Sequence, residues 1–231
     1  MSLRPRQEQG TIRWEPDVYG RSHLGNPLEV WRPGGKCELL VFAAIHGEEP
    51  ETTAALSRAL RHLMEPSAAC AVVLAANPDG LIRGTRGNAR GVELNRNFPT
   101  KDWRPGPVMH RSTLDGPREV ALSPGEAPGS EPETQALMAL IGELKPEAVV
   151  ALHAPLACID DPNDSALGRW LTERTGLPLV PDVGYPTPGS FGTWGAEQGL
   201  PVVTYEFPLT TPDQAVVEQV PVLVDLLTGS R

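Results

Sequence analysis

The side chains best suited to binding a metal ion stand at the ends of two apolar segments. His46 and Glu49 lie three positions apart directly after the apolar run 38–45, and His153 follows the apolar run 148–152. Two histidines and one glutamate can hold zinc with one position left open for catalysis. Taken alone the pair is a weak signal, because His46 can end a strand and Glu49 can start a helix. The remaining histidines are less suitably placed, in a helical pattern (His62) or in polar loops (His23 and His110).

Glu206 is a candidate general base. It follows the apolar run 202–205, which predicts an interior strand, and a carboxylate in such a place needs a partner or a chemical task. Near a bound metal it would take a proton from water as the water attacks a carbonyl, then pass the proton to the leaving amine. The alternative is a buried structural salt bridge, and the neighbouring residues do not decide between the two.

The segment 91–99 sets three polar residues between apolar ones. It reads Gly-Val-Glu-Leu-Asn-Arg-Asn-Phe-Pro, and its Arg96 has the planar group that binds carboxylates through two hydrogen bonds. Arg83, Arg86 and Arg90 approach the same region of the chain. Loop arginines are ordinarily solvated, and we keep that interpretation for Arg83 and Arg90.

These candidate residues need a scaffold that brings distant parts of the chain together. Continuous apolar runs predict buried strands, at residues 38–45, 69–76, 148–152 and 202–205, with a short strand near Leu179. Helical spacing of apolar residues predicts helices, at residues 50–64, 130–144, 165–174, 190–198 and 211–227. This alternation predicts an α/β fold, in which one domain spanning residues 1–231 has a mixed, mostly parallel twisted sheet flanked by helices.

Four local signals refine this scaffold. We expect Ser130 to cap its helix together with Glu133, and Pro221 to kink or interrupt the last helix. Residues 77–80, Asn-Pro-Asp-Gly, predict a turn. The segment 81–129 is too long for an ordinary connection in a compact domain, and such loops are usually functional or disordered.

Composition limits the classes of partner. The 231 residues carry a formal charge of -9 without a run of Lys or Arg, which argues against nucleic acid and anionic membranes. No apolar run approaches the roughly 20 residues of a membrane span, and residues 1–20 lack the apolar stretch of a secretory signal. Cys37, Cys70 and Cys158 are odd in number and widely spaced, which favours free thiols and a cytoplasmic location.

Taken together, the motifs resemble the zinc carboxypeptidase A family in order and spacing. The resemblance is carried by His46-x-x-Glu49, residues 77–80, Arg86, residues 95–98, residues 130–134, His153 and Glu206. Residues 19–22 also resemble the family's N-terminal strand and turn, so the similarity covers nearly the whole chain. It implies a hydrolase with one zinc ion per chain, held by His46, Glu49 and His153, and with Glu206 as the base.

The resemblance also implies roles for residues around the metal. Arg86 would polarise the scissile carbonyl and stabilise the oxyanion, while Asn95 and Arg96 would bind a free carboxylate of the substrate. Glu93 occupies the position where the family usually has an aspartate bonded to the first zinc histidine, and we expect it to support that histidine. Tyr185 lies near the position of the family's tyrosine that caps the substrate.

Within the family, three stretches resemble bacterial cytoplasmic amidases of peptidoglycan recycling, which cut between gamma-D-glutamate and meso-diaminopimelate. These are residues 128–137, 155–159 and 187–194. The implied substrate is murein tripeptide, and Asp160 or Asp161 would bind the amino group of diaminopimelate. Ala154 stands where such amidases are expected to have an aspartate, which leaves one substrate contact open. We also leave open a homodimer, a carboxypeptidase or acyl-amino-acid deacylase with another substrate, and a non-catalytic zinc- or peptide-binding module.

Overall fold

Ten strands and six α-helices make up the structure, a computed structural model that describes residues 3–112 and 118–230. The strands are β1 (Asp17–Arg21), β2 (Pro27–Val30), β3 (Leu39–Phe42), β4 (Cys70–Val73), β5 (Val108–Ser112), β6 (Arg118–Leu122), β7 (Ala148–His153), β8 (Leu156–Asp160), β9 (Leu179–Val180) and β10 (Val202–Pro208). The helices are α1 (Pro50–Arg61), α2 (Pro78–Arg83), α3 (Pro132–Leu144), α4 (Ala166–Thr175), α5 (Phe191–Glu197) and α6 (Pro212–Thr228). Short 3-10 turns cover Arg6–Glu8 and Leu94–Arg96.

Six of the strands form one mixed sheet, in the order β4-β3-β7-β10-β8-β9. The pairs β4/β3, β3/β7, β7/β10 and β8/β9 are parallel, and β10/β8 is antiparallel. The predicted α/β fold with a mostly parallel sheet is therefore confirmed. Two hairpins, β1/β2 and β5/β6, lie outside the sheet, and the first matches the expected N-terminal strand and turn.

The continuous apolar runs follow from burial of both faces of the sheet. Along β3, Leu39 and Val41 belong to the core cluster that contains residues of α1, α4 and α6. Leu40 and Phe42 point the other way, into the cluster that contains residues of α3 and α5. Successive side chains of a strand alternate between faces, so a strand covered on both sides needs apolar residues throughout.

The expected helix cap at Ser130 was wrong, and so was an interruption of the last helix at Pro221. Helix α3 begins at Pro132 with Glu131 as its N-cap, because proline lacks an N–H and suits the first helical position. Ser130 instead donates to Glu131 Oε1. Helix α6 continues through Pro221, which is exposed while Val220 and Val222 beside it are buried. Burial of that apolar face offsets the cost of an interior proline, about 3 kcal/mol.

The segment 81–129 has more order than a loop. It contains the end of α2, the 3-10 turn Leu94–Arg96 and the hairpin β5/β6, while residues 113–117 lie outside the described residues. The predicted turn at residues 77–80 is the start of α2, where the Asn77 side chain accepts from Gly80 N. No helix in the described part of the chain is both long and apolar enough to cross a membrane.

Candidate metal centre and active-site cavity

The three candidate metal ligands meet at the carboxyl edge of the sheet. His46 and Glu49 lie on the loop 43–49, between β3 and α1, and His153 is the last residue of β7. Strands β3 and β7 are parallel neighbours, so their carboxyl ends lie side by side, where α/β folds place their sites. Gly47 permits close packing of this loop, because a Cβ atom there would lie 2.1 Å from the backbone carbon of Gly80.

Their donor atoms converge on one point. His46 Nδ1 lies 2.7 Å from Glu49 Oε1 and 3.1 Å from His153 Nδ1, and the three ligand atoms lie within 4.8 Å of one another. Glu49 Oε2 is buried and has no hydrogen bond of normal geometry from any described residue, although His153 Nδ1 is 3.3 Å away. Two imidazole nitrogens and a carboxylate that face one another in this way are suited to sharing a cation, and this donor set fits zinc.

The charge balance at His46 also fits a metal ion. Burial and the Arg86 guanidinium lower the pKa of His46, but the carboxylates of Glu49 and Glu93 outweigh them and raise the pKa to about 9. The Glu49 pKa is held below its usual range, because His46 and His153 overcome the effect of burial. The buried carboxylates thus favour a positive charge at the point where the ligand atoms meet.

Glu93 connects the metal centre with Arg86. Its Oε1 lies 2.9 Å from His46 Nε2, and its Oε2 accepts from Arg86 Nε. Glu93 is the N-cap of the 3-10 turn Leu94–Arg96, which fixes its position. Burial alone would raise the pKa of Glu93, but the charges of Arg86 and His46 hold it well below the usual range. The longer side chain that replaces the family's usual aspartate therefore still reaches the first histidine.

Glu206 lies on β10, which pairs with β7 on one side and with β8 on the other. It pairs in register with His153 on β7 and with Cys158 on β8. The side chain is buried, accepts from Leu156 N at 3.3 Å, and forms no ion pair within the described residues. The structural salt bridge considered as the alternative is therefore not seen there. Burial and the nearby Glu49 raise the pKa of Glu206, and His153 partly opposes this rise.

Asn95, Arg96 and Tyr185 line the same cavity, which has a volume of about 870 Å³. Asn95 Oδ1 accepts from Phe191 N at 2.8 Å, so the 3-10 turn is fixed to the start of α5. Arg96 Nη1 donates to Asn95 O at 2.6 Å. Tyr185 is 51% exposed, on the connection between β9 and α5. Burial raises its pKa although Arg86 and Arg96 act against that effect, which locates the phenol near both arginines.

The two aspartates that follow Ile159 have different surroundings in the structure. The Asp161 carboxylate accepts from Asn163 N, Ser165 N and Ser165 Oγ, so it supports the start of α4. Asp160 ends β8 and lines the cavity, and its Oδ1 is buried without a hydrogen-bond partner in the described structure. Burial, then Glu206 and Asp182, raise the pKa of Asp160 to about 6.

Sequence reasoning missed two residues of the cavity wall. His110 was expected in a polar loop but lies on β5, with Nε2 2.9 Å from Glu48 Oε1. Glu48 also lies 3.2 Å from Arg86 Nη1. Glu48 stands next to a candidate ligand, yet nothing in the sequence connects it with a histidine 62 positions later in the chain.

Comparison with known proteins agrees with this geometry. A sequence profile described as zinc carboxypeptidase matches residues 12–159. The chain belongs to the zinc carboxypeptidase family. It is a hydrolase of that type, and its His-Glu-His group fits one zinc ion. The family resemblance inferred from the motifs is confirmed.

Two relatives share nearly the full length of the chain. Murein peptide amidase A of Escherichia coli K12 is 46% identical over 228 residues, which cover 97% of this chain and 94% of that protein. Murein peptide amidase A of Vibrio campbellii is 40% identical over 231 residues, which cover 98% of this chain and 93% of that protein.

Solved structures of the family share the fold. The murein-tripeptide amidase of Escherichia coli O157 superposes with a TM-score of 0.95 at 44% identity, covering 99% of this chain and 98% of that chain. Carboxypeptidase A of Helicoverpa armigera superposes with a TM-score of 0.68 at 18% identity, covering 93% of this chain and 68% of that chain. The second similarity shows the fold alone.

Proposed function

We propose that this hydrolase cleaves the amide bond between gamma-D-glutamate and meso-diaminopimelate in murein tripeptide. The observation that carries the proposal is the convergence of His46, Glu49 and His153 beside Glu206 in one cavity. The substrate is supported by similarity to murein peptide amidase A along nearly the whole chain. The proposal includes a place in peptidoglycan recycling and a cytoplasmic location, and a homodimer stays a prediction.

His46 Nδ1, His153 Nδ1 and the Glu49 carboxylate would hold the zinc ion. When bound, zinc supplies Lewis acidity, which polarises a carbonyl group and makes water more acidic. Glu93 would keep His46 oriented through Nε2, so that Nδ1 faces the other two ligands. The carboxylate also balances the charge of Arg86 on its other side.

Glu206 would act as the proton carrier. In the reaction the water oxygen attacks the amide carbon, the carbon–nitrogen bond breaks, and one proton from water has to reach the leaving amine. A buried carboxylate with a raised pKa suits both halves of this transfer, because it accepts a proton more readily than a solvated one and can release it to an amine.

Arg86 and the 3-10 turn Leu94–Arg96 would position the substrate. Arg86 lies at the cavity wall, held by Glu93 and Glu48, where its guanidinium can stabilise the negative charge that develops on the carbonyl oxygen. Asn95 and Arg96 would bind the carboxylate next to the leaving amine. Tyr185 at the rim would close over the bound peptide.

Zinc analysis and a murein tripeptide assay on Glu206→Gln test this function. We expect one zinc per chain in both wild type and variant, with kcat/KM lower by about 10²- to 10⁴-fold in the variant because the proton carrier is lost. Glu173→Gln, on the exposed side of α4, is the matched control and should behave as wild type. Equal activity of Glu206→Gln and wild type would discard the mechanism.

The alternatives predict different results in the same assay. A carboxypeptidase or acyl-amino-acid deacylase with another substrate would cleave alpha-linked peptides or acylated amino acids faster than murein tripeptide. A non-catalytic zinc- or peptide-binding module would bind without turnover. All three candidate ligands and the candidate base are present, which favours an active enzyme.

A further inference from the structure

The carboxylates that line the cavity differ in whether a cation of the protein pairs with them. Burial lowers the pKa of Arg96, and the titratable groups that act on it are Glu93, Arg86, Tyr185 and Asp102. The charged groups that act on Asp160 are a different set, namely Glu206, Asp182, Asp161 and His153. Glu48 and Glu93 are paired with Arg86, whereas Asp160 and Asp182, which also line the cavity, form no ion pair within the described residues. A ligand residue with a carboxylate and an ammonium group several atoms apart complements such a wall.

Strand register places Asp160 on the same face of the sheet as Glu206. In the antiparallel pair β10/β8, Thr204 is opposite Asp160 and Glu206 is opposite Cys158. Residues two apart on a strand share a face, so all four side chains point to one side, and diagonal neighbours such as Glu206 and Asp160 are about 7–8 Å apart. Burial, then the carboxylates of Glu206 and Asp160, raise the pKa of Cys158 to about 11, which agrees with its place between them.

Helix α5 contacts Asn95 and lines the same cavity as Asp160. Phe191, its first residue, donates to Asn95, and Gly192 and Thr193 of the next positions line the cavity together with Thr204. Thr204 is the register partner of Asp160, so Asn95 and Asp160 are each one contact away from residues that line this cavity.

The Asp160 side chain has an unmet hydrogen-bond acceptor. Its Oδ1 is buried without a partner, and Asp160 forms no ion pair among residues 3–112 and 118–230. A buried carboxylate oxygen without a donor is unfavourable, so the site gains when a ligand brings a charged donor. Asp161, one position later, has its acceptors satisfied by the start of α4 and has no such capacity.

We propose that Asp160, with Asp182 at the rim, binds a cationic ammonium group on the side chain of the leaving residue. In naming that residue as diaminopimelate, the inference rests on the proposed function. The distal amine of diaminopimelate supplies the charged donor, while its backbone carboxylate lies at Asn95 and Arg96. Asp160 is thus a specificity-determining residue for substrates with a side-chain amine.

Two matched tripeptides test this subsite. One is murein tripeptide, and the other carries 2-aminopimelate in the last position, which keeps the distal carboxylate and lacks only the distal amine. We expect wild type to prefer murein tripeptide by about tenfold or more in kcat/KM, the value of a charge-assisted hydrogen bond. Asp160→Asn should reduce that preference to near unity, mainly by slowing the amine-bearing substrate. Asp161→Asn is the control variant and should keep the wild-type preference.

The outcomes separate this inference from the proposed function. If wild type cleaves both tripeptides equally well, or if Asp160→Asn keeps the preference, the subsite is refuted while the amidase function stands. If wild type cleaves neither tripeptide but has another amide substrate, the proposed function fails. A third tripeptide with an acetylated N-terminus tests the other ammonium group of the substrate. A rate loss on acetylation that Asp160→Asn abolishes would assign Asp160 to the N-terminal amine and overturn the proposal.

Discussion

Glu93 serves two neighbours with one carboxylate. It contacts His46 Nε2 and accepts from Arg86 Nε, and it is almost completely buried. A buried carboxylate with two partners is costly to neutralise, because each partner then loses its countercharge. We therefore expect Glu93 to influence both zinc binding and the position of Arg86.

Removing the charge of Glu93 should weaken zinc binding. For Glu93→Gln we expect affinity lower by about 10- to 100-fold, the usual effect of losing a partner of a ligand histidine. Glu93→Asp keeps the charge and should retain more affinity, since aspartate is the residue that the family usually has there. Competition with a chromogenic chelator measures both variants, with exposed Glu218→Gln as control. Zinc binding by Glu93→Gln as tight as wild type would contradict the role of this contact.

Asp160 should make substrate preference depend on pH. Burial, Glu206 of β10, Asp182 of the 181–189 connection and the adjacent Asp161 raise its pKa to about 6, and His153 of β7 opposes them. The carboxylate is ionised above that pH, so we expect the preference for the amine-bearing tripeptide to be full at pH 7–8. It should decline as the pH falls through about 6.

The ratio of the two kcat/KM values between pH 5 and 8 measures this effect. Titration of groups that both substrates share cancels in the ratio. The Asp160→Asn variant should give a ratio that does not change with pH. A wild-type ratio that is constant over the range would show that Asp160 does not bind the amine.

At the residue scale, sequence analysis located the residues that follow apolar runs. His46, His153 and Glu206 could be found because each stands directly after an apolar run of the sequence. The choice between Asp160 and Asp161 could not be made, because it depends on which carboxylate the start of α4 uses. The contact of His110 with Glu48 depends on the path of the hairpin β5/β6, for which the sequence carries no spacing signal.

At the scale of elements, the loop 43–49 is fixed by its packing on the start of α2. A Cβ atom at Gly47 would lie 2.1 Å from Gly80 C and 2.3 Å from Leu81 N, both backbone atoms that cannot turn away. The same loop carries His46 and Glu49, so its distance from α2 also determines where these two ligands stand.

Gly47→Ala should therefore affect stability and zinc binding together. We expect the free energy of unfolding to fall by about 1–3 kcal/mol, as for other overpacked sites, and zinc affinity to fall with it. Denaturant unfolding and chelator competition measure the two effects. Gly142→Ala is the control, because that position is exposed within α3 with no atom near the added Cβ, and it should stabilise by about 0.5–1 kcal/mol. An unchanged Gly47→Ala protein would refute the packing argument.

The elements themselves were largely predictable, and the exceptions have physical reasons. The strands covered on both faces gave clear apolar runs, whereas β8 was missed because only Cys158 and Ile159 of its five residues are buried. Local rules favoured Ser130 as a helix cap and Pro221 as a break. Pro132 and the buried face of α6 outweighed those rules.

At the scale of the whole molecule, the metal centre connects the loop after β3 with the end of β7. A ligand that binds only the folded chain stabilises it, by about 4 kcal/mol at a concentration 1,000 times its Kd. For a chain of this size, 1 kcal/mol corresponds to about 2–4 °C in Tm. We therefore expect removal of zinc by a chelator to lower Tm by about 8–16 °C.

Thermal unfolding with and without excess zinc checks this expectation. In Glu49→Gln the metal-dependent part of Tm should shrink, because one ligand of the ion is lost. Exposed Glu173→Gln should keep the full shift. If Tm of the wild type is the same in chelator and in zinc, the metal does not hold these elements together.

The position of β10 bears on how the chain is made in the cell. This strand lies between β7 and β8, yet it comes after both in the chain. During synthesis β7 and β8 therefore leave the ribosome before β10, and the edge that each later pairs with β10 is at first unpaired. Unpaired strand edges can pair with other chains. We expect a nascent chain interrupted before residue 202 to be inactive and to aggregate, because it has neither the proposed base Glu206 nor the strand that lies between β7 and β8.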